Sequence, residues 1–123
     1  MKVVGLGLRA AATPESLKEL LQRLQATPDL PLAVPAFREG HPAVLDLRQQ
    51  GRRIIPLPEA ALNGVRTPTR SLRILARYGT GSIAEACALV AAGPAARMIL
   101  PRVVSADGRA TAALAQSDES PYP

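Results

Sequence analysis

Tryptophan is absent from this chain of 123 residues, and Phe37, Tyr78 and Tyr122 are its only aromatic residues. Its core must therefore be built from Leu, Ile, Val and Ala, a composition that suits helices layered on a sheet. So few rings provide no platform for stacking successive bases, and no run of basic residues compensates, so nucleic acid is not expected as a partner. Cys87 is the only cysteine and His41 the only histidine. An intrachain disulfide and a cysteine-based metal site are thus excluded, and neither a metal nor another cofactor is expected. Cys87 stands in an apolar helical stretch, where a thiol is a buried structural group. Long apolar runs are missing too: the opening segment is interrupted by Gly5 and Gly7, which fits neither a signal peptide nor a membrane span. The expectation is a cytoplasmic protein with no membrane partner.

Lysine is scarce, with only Lys2 and Lys18 among 15 basic residues, which outnumber 10 acidic ones and leave a net charge of +5. The arginine excess has two readings. A guanidinium offers a planar fork of donors that matches carboxylates bidentately. An overall bias of the chain towards Arg, Ala and Pro would produce the same count.

One domain of ordinary size is what this length allows. Met1 to Leu8 reads as a buried strand ending in a glycine turn. Thr13-Pro14-Glu15 then opens a helix with a capping hydroxyl, a proline at the first position and an early acid, and Leu17, Leu20, Leu21 and Leu24 follow at helical spacing. A second strand is expected over Leu32 to Phe37, then a helix from His41-Pro42 with Val44, Leu45 and Leu47 inward, then a third strand over Arg53 to Leu57. Residues Thr69 to Tyr78 form a helix with Leu72, Ile74 and Leu75 inward. Ser82-Ile83-Ala84-Glu85 reads as a capping box opening a buried helix that Gly93-Pro94 ends. Two β-prone runs, Ala96 to Val104 and Arg109 to Ala115, flank an Asp107-Gly108 hairpin turn. The fold class is thus α/β: a single domain over residues 1–115 with a mixed, mostly parallel sheet, helices packed on it and a C-terminal antiparallel hairpin. Residues 116–123 are expected to be a mobile tail.

Two glycine segments are candidates for chemistry. Gly5-Leu6-Gly7-Leu8-Arg9-Ala10 formally fits a permissive dinucleotide fingerprint, but the helix starts only at Thr13-Pro14, and Phe37-Arg38 stands where an acid would hold a ribose. A tight turn with close backbone contact explains the glycines, and a loop of free amides with Arg9 could hold a carboxylate. Gly79-Thr80-Gly81-Ser82, at a positive helix end, is a second such loop, unless Ser82 and Glu85 already satisfy its amides. If Leu8 and Tyr78 lie at the same sheet edge, the two loops form one cleft with apolar walls and anion-seeking rims. His41 sits at a helix start with no serine and acid to complete a triad, and the carboxylates Glu15, Glu39, Asp46 and Glu59 are scattered, so no catalytic set is apparent.

The same segments carry a family resemblance. Val4-Gly5-Leu6-Gly7-Leu8-Arg9 with Thr13-Pro14-Glu15-Ser16-Leu17, then Gly79-Thr80-Gly81-Ser82-Ile83-Ala84-Glu85-Ala86-Cys87-Ala88-Leu89, then Thr111-Ala112-Ala113-Leu114-Ala115, resemble in order and spacing the hallmarks of the cobalamin-biosynthesis family of CobE and the CbiG C-terminal domain. Leu8 departs from that pattern, which often has cysteine there, and Ala10-Ala11-Ala12 replaces a more polar stretch. The resemblance implies a protein that binds or carries a precorrin or hydrogenobyrinic-acid-like intermediate, with another enzyme of the pathway as a further partner. The implied ligand-binding residues are Gly5, Gly7, Leu8, Arg9, Thr13, Tyr78, Gly79, Thr80, Gly81, Ser82 and Glu85, with Arg38 or Arg102 as a further anion contact. The alternative it implies is an enzyme that hydrolyses or rearranges a lactone-bearing corrin precursor, for which the chain offers no nucleophile and base pair.

Overall fold

The apolar opening strand, buried from Val3 to Gly7, takes the middle of the sheet. In the computed structural model, which describes residues 1–118, β1 (Lys2–Leu8) lies between β2 (Leu32–Pro35) and β5 (Ala110–Gln116), with β3 (Ile54–Leu57) and β4 (Arg97–Val104) at the edges, in the order β3-β2-β1-β5-β4. The pairs β1–β2 and β2–β3 are parallel, whereas β1–β5 and β5–β4 are antiparallel. Only β5 therefore runs against the other strands, and the sheet is the mixed, mostly parallel one expected, with the C-terminal hairpin folded back beside β1.

Alternation along the strands supplies two cores, one on each face. Val4, Leu6, Leu32, Val34, Ala112 and Leu114 face α1 (Pro14–Arg23) and α2 (Pro42–Gln49), which bury Leu17, Leu20, Val44 and Leu47 against them. Val3, Ala33 and Ala115 face the other way, towards the single turn α3 (Glu59–Leu62) and the helix α5 (Ile83–Ala92). The alanines of α5 let its backbone approach β1 so closely that a Cβ on Gly5 would lie 1.9 Å from the Ala84 carbonyl oxygen. Cys87 is fully buried in this layer, and burial pushes its thiol up to about 12, as befits a packing group.

Several expectations are corrected. The second strand stops at Pro35, which has no N–H to continue the ladder, and Ala36–Arg38 turn as a 3-10 helix that brings Phe37 to the surface. Leu45 is exposed, because α2 turns Ala43, Val44 and Leu47 inward and leaves Leu45 on its outer side. The helix expected from Thr69 is α4 (Leu72–Tyr78); it buries none of its residues, and Leu72 is 78% exposed. The box at Ser82 is half formed: its hydroxyl accepts from the Glu85 amide at 3.3 Å, but the Glu85 carboxylate turns away to other partners. The reciprocal box occurs at Thr13, whose hydroxyl accepts from the Ser16 amide while the Ser16 hydroxyl accepts from the Thr13 amide. β5 includes Gln116, and the Ser117 amide donates to the Met1 carbonyl at 2.9 Å, so the expected tail does not begin at 116. Residues 119–123 of that expected tail lie outside the described residues.

The hairpin turn is anchored to α1. Asp107 accepts from the Ser105 hydroxyl at 2.6 Å, from the Ser16 hydroxyl and from the Arg109 amide at 3.0 Å, and these bonds lower its carboxyl from 3.8 to about 2. A depressed carboxyl stabilises the fold above its unfolded value and loses that contribution as pH falls through the folded one. The gap in melting temperature between wild type and Asp107→Asn should accordingly be full above pH 3.8 and close as pH falls towards about 2.

Candidate ligand cleft

The chain leaves β1 for β2 through α1 on one face and reaches β4 through α5 on the other, so the order of the strands reverses beside β1. In open α/β sheets, the crevice outside the carboxyl ends of the strands at such a reversal is where ligands bind. A cleft of about 540 Å³ opens there, between the ends of β1, β2 and β4, the start of β5, and the helices α4 and α5.

Six arginines line it: Arg9 after β1, Arg38 after β2, Arg73 and Arg77 on α4, Arg102 on β4 and Arg109 before β5. No Asp or Glu among the described residues lines it. The ion pairs among the described residues engage Arg23, Arg48 and Arg97, all outside the cleft. No cleft guanidinium pairs with a carboxylate among the described residues, although Asp107 at the hairpin turn acts on Arg109 through space, and Arg38 is positioned by donating from Nε to the Leu8 carbonyl at 2.9 Å.

Apolar surface lies between these charges. Leu8, Pro35, Ile74, Ile83 and Val104 form walls, and Phe37 stacks on Tyr78 with centroids 5.5 Å apart and planes 9° from parallel. The Arg38 guanidinium sits 5.6 Å from the Phe37 centroid and that of Arg77 5.3 Å from the Tyr78 centroid, both within cation–π range. Phe37 comes from the β2 end and Tyr78 from α4, so the stack ties an otherwise exposed helix to the sheet.

Of the residues expected to form a site, the structure brings Gly7, Leu8, Arg9, Tyr78 and Ser82 together on this cleft, along with Arg38 and Arg102. The others stand elsewhere. Gly5 is pressed against α5, and Thr13 caps α1. Gly79, Thr80 and Gly81 pack beneath residues 63–71: the Gly64 amide donates to the Gly79 carbonyl, the Thr80 hydroxyl to the Val65 carbonyl and the Ser71 amide to the Gly81 carbonyl. A Cβ on Gly81 would come within 2.2 Å of the Thr69 carbonyl oxygen, which explains the glycine by space alone. Glu85 is completely buried; its oxygens accept from the Thr69 amide and hydroxyl, each at 2.8 Å, and from the Arg102 amide at 2.7 Å. It holds the cleft's frame and is not on its wall.

Sequence reasoning missed Phe37, Arg73, Arg77 and Arg109. A signal existed for two of them, since Arg73 and Arg77 are four apart on one helix face. His41 lies outside the cleft: its Nδ1 accepts from the Ala43 amide at 3.0 Å, which assigns the proton to Nε2, the donor to the Ala10 carbonyl at 3.0 Å. Among the described residues no group of His, Cys, Asp and Glu side chains could hold a metal ion, and no helix is long and apolar enough to cross a membrane.

Fold and cleft define a small α/β domain with a cationic crevice at a topological switch point. The chain belongs to the family described as cobalamin synthesis G C-terminus, which matches residues 2–115, and is a cobalamin biosynthesis protein of the CobE and CbiG C-terminal type. It is similar to the solved structure of CobE, "a protein from the cobalamin (vitamin B12) biosynthetic pathway", with a TM-score of 0.79 and 27% identity over 95% of this chain and 90% of that one. Cobalamin biosynthesis protein chiG from Agrobacterium tumefaciens str. C58 shares the fold with a TM-score of 0.71 and 22% identity, over 97% of this chain and 100% of that one. A homolog of cobalamin biosynthesis protein G from Sulfolobus solfataricus shares it with a TM-score of 0.65 and 20% identity; 93% of this chain aligns with 36% of that one. No curated protein matches the chain. The resemblance read from the two glycine segments and the closing strand therefore holds at the level of family and fold.

Proposed function

We propose that this protein binds and carries a corrin-ring intermediate in the cleft, with ring faces on the apolar walls and peripheral carboxylates on the arginines. The observation that carries the reading is the cleft's lining: six guanidiniums, none in an ion pair among the described residues, around apolar surface and a stacked aromatic pair. Corrin precursors are apolar in the middle and ringed with carboxylates, so each part of the lining has a counterpart on such a ligand. Carriage is favoured over lactone hydrolysis because no imidazole or carboxylate among the described residues lines the cleft to activate water, and the hydroxyls of Ser71 and Ser82 already cap α4 and α5.

The test is a visible-absorbance titration with hydrogenobyrinic acid or an earlier precorrin. A saturable complex that releases an unchanged chromophore is expected. Raising ionic strength from about 0.1 M to about 1 M shortens the screening length from roughly 10 Å to roughly 3 Å, which should weaken binding at least roughly tenfold. Conversion of the chromophore would replace carriage by catalysis, and no binding at low salt would refute the reading.

A further inference from the structure

The cleft's polar side chains are six guanidiniums and the hydroxyls of Ser71, Tyr78, Ser82 and Thr111. A guanidinium carries five N–H donors and no acceptor, and none of the six on these walls is in an ion pair with a carboxylate among the described residues, Asp107 near Arg109 being bonded to Ser105 and Ser16 hydroxyls and the Arg109 amide. Side-chain acceptors are confined to hydroxyls, and those of Ser71 and Ser82 accept from Ile74 and Glu85 amides. An ionised carboxylate meets this lining with charge-assisted, bidentate geometry. A primary amide in the same place keeps one acceptor, loses the charge and turns an NH₂ group towards donors. An ester loses the charge, keeps its carbonyl oxygen as the one good acceptor and cannot meet a guanidinium bidentately.

We propose that the cleft selects the free-acid form of its ligand and rejects forms whose peripheral carboxylates are masked as amides or esters; the inference rests on the ring-binding reading above. Arg73 and Arg77 carry much of this selection. They stand one turn apart on the same face of α4, both line the cleft, and together they meet carboxylates of neighbouring substituents. The consequence is directional: a ring whose carboxylates are masked after it leaves does not compete for the cleft.

The test compares hydrogenobyrinic acid with a partial amide of the same ring, and uroporphyrin with the less carboxylated coproporphyrin, by titration at one low ionic strength. The free acid should bind at least roughly tenfold more tightly than the partial amide, a difference of about one decade in dissociation constant. Arg73→Gln with Arg77→Gln, both on an exposed helix, should shrink that ratio while lowering free-acid affinity. Equal affinity for the free acid and the amide overturns the inference and leaves ring binding standing. A graded response to the porphyrins without binding of the corrin supports charge selection and overturns the corrin reading instead. Absence of binding in every arm overturns both.

Discussion

Replacing Gly5 by alanine is expected to remove at least about 3 kcal/mol of stability, the upper part of the range for overpacked cores and a large share of what a domain of this size possesses. The reason is where the added methyl would go. Its carbon would stand 1.9 Å from the Ala84 oxygen and 2.6 Å from the Ala88 nitrogen, both backbone atoms of α5. No side chain can rotate out of the way, so α5 must leave the sheet, or β1 must leave β2 and β5, with which Gly5 is in register at Ala33 and Ala113. Gly7 provides the contrast on the same strand. A methyl there would meet the Thr111 hydroxyl at 2.6 Å, which can rotate, and Gly7→Ala should cost no more than about 1 kcal/mol. Urea unfolding of the two variants checks this directly; similar midpoints would show that close approach of α5 is not why Gly5 is glycine.

Removal of the Glu85 carboxylate should be comparably severe. It is buried and accepts three hydrogen bonds, from the Thr69 amide, the Thr69 hydroxyl and the Arg102 amide. Glu85→Ala leaves two backbone amides and a hydroxyl in need of partners, at about 1–3 kcal/mol for each that stays unsatisfied, so a loss of about 3 kcal/mol or more is expected. Glu85→Gln keeps one acceptor but sets an NH₂ against the Arg102 amide or the Thr69 amide. Because the Thr69 hydroxyl can reverse its role, the loss should be smaller, about 2 kcal/mol. Thermal unfolding ranks the three proteins. Ligand titration adds a second readout: Glu85 fixes Arg102 and the approach to α4, so affinity should fall even where the variant remains folded. An alanine variant as stable as wild type would contradict this account of the residue.

These two residues also show how far the sequence could be read. The order of strands and helices was legible because each start carries its own signal: Thr13-Pro14, His41-Pro42 and Ser82 at helices, and Asp107-Gly108 at the hairpin. The family was legible from the glycine segments. What those glycines do was not, since Gly5 and Gly81 serve contacts with α5 and with Thr69 that are remote in sequence. Glu85 looked like a local cap because Ser82 precedes it at the right spacing; its carboxylate instead satisfies amides 16 and 17 residues away. The cleft was half legible. Arg9 and Ser82 follow from the motifs, whereas Phe37, Arg73, Arg77 and Arg109 reach it only because α4 folds over the end of β2 and β5 inserts beside β1.

The central claim is that the ligand sits among the six cleft arginines, and the most direct measurement is their protection from an arginine-specific reagent, read by mass spectrometry with and without hydrogenobyrinic acid. The account predicts that Arg9, Arg38, Arg73, Arg77, Arg102 and Arg109 are protected together, while the exposed Arg53, Arg66 and Arg70, which do not line the cleft, react as in the free protein. Uniform protection of all arginines, or protection of Arg53, Arg66 and Arg70 with the cleft set left reactive, would contradict it.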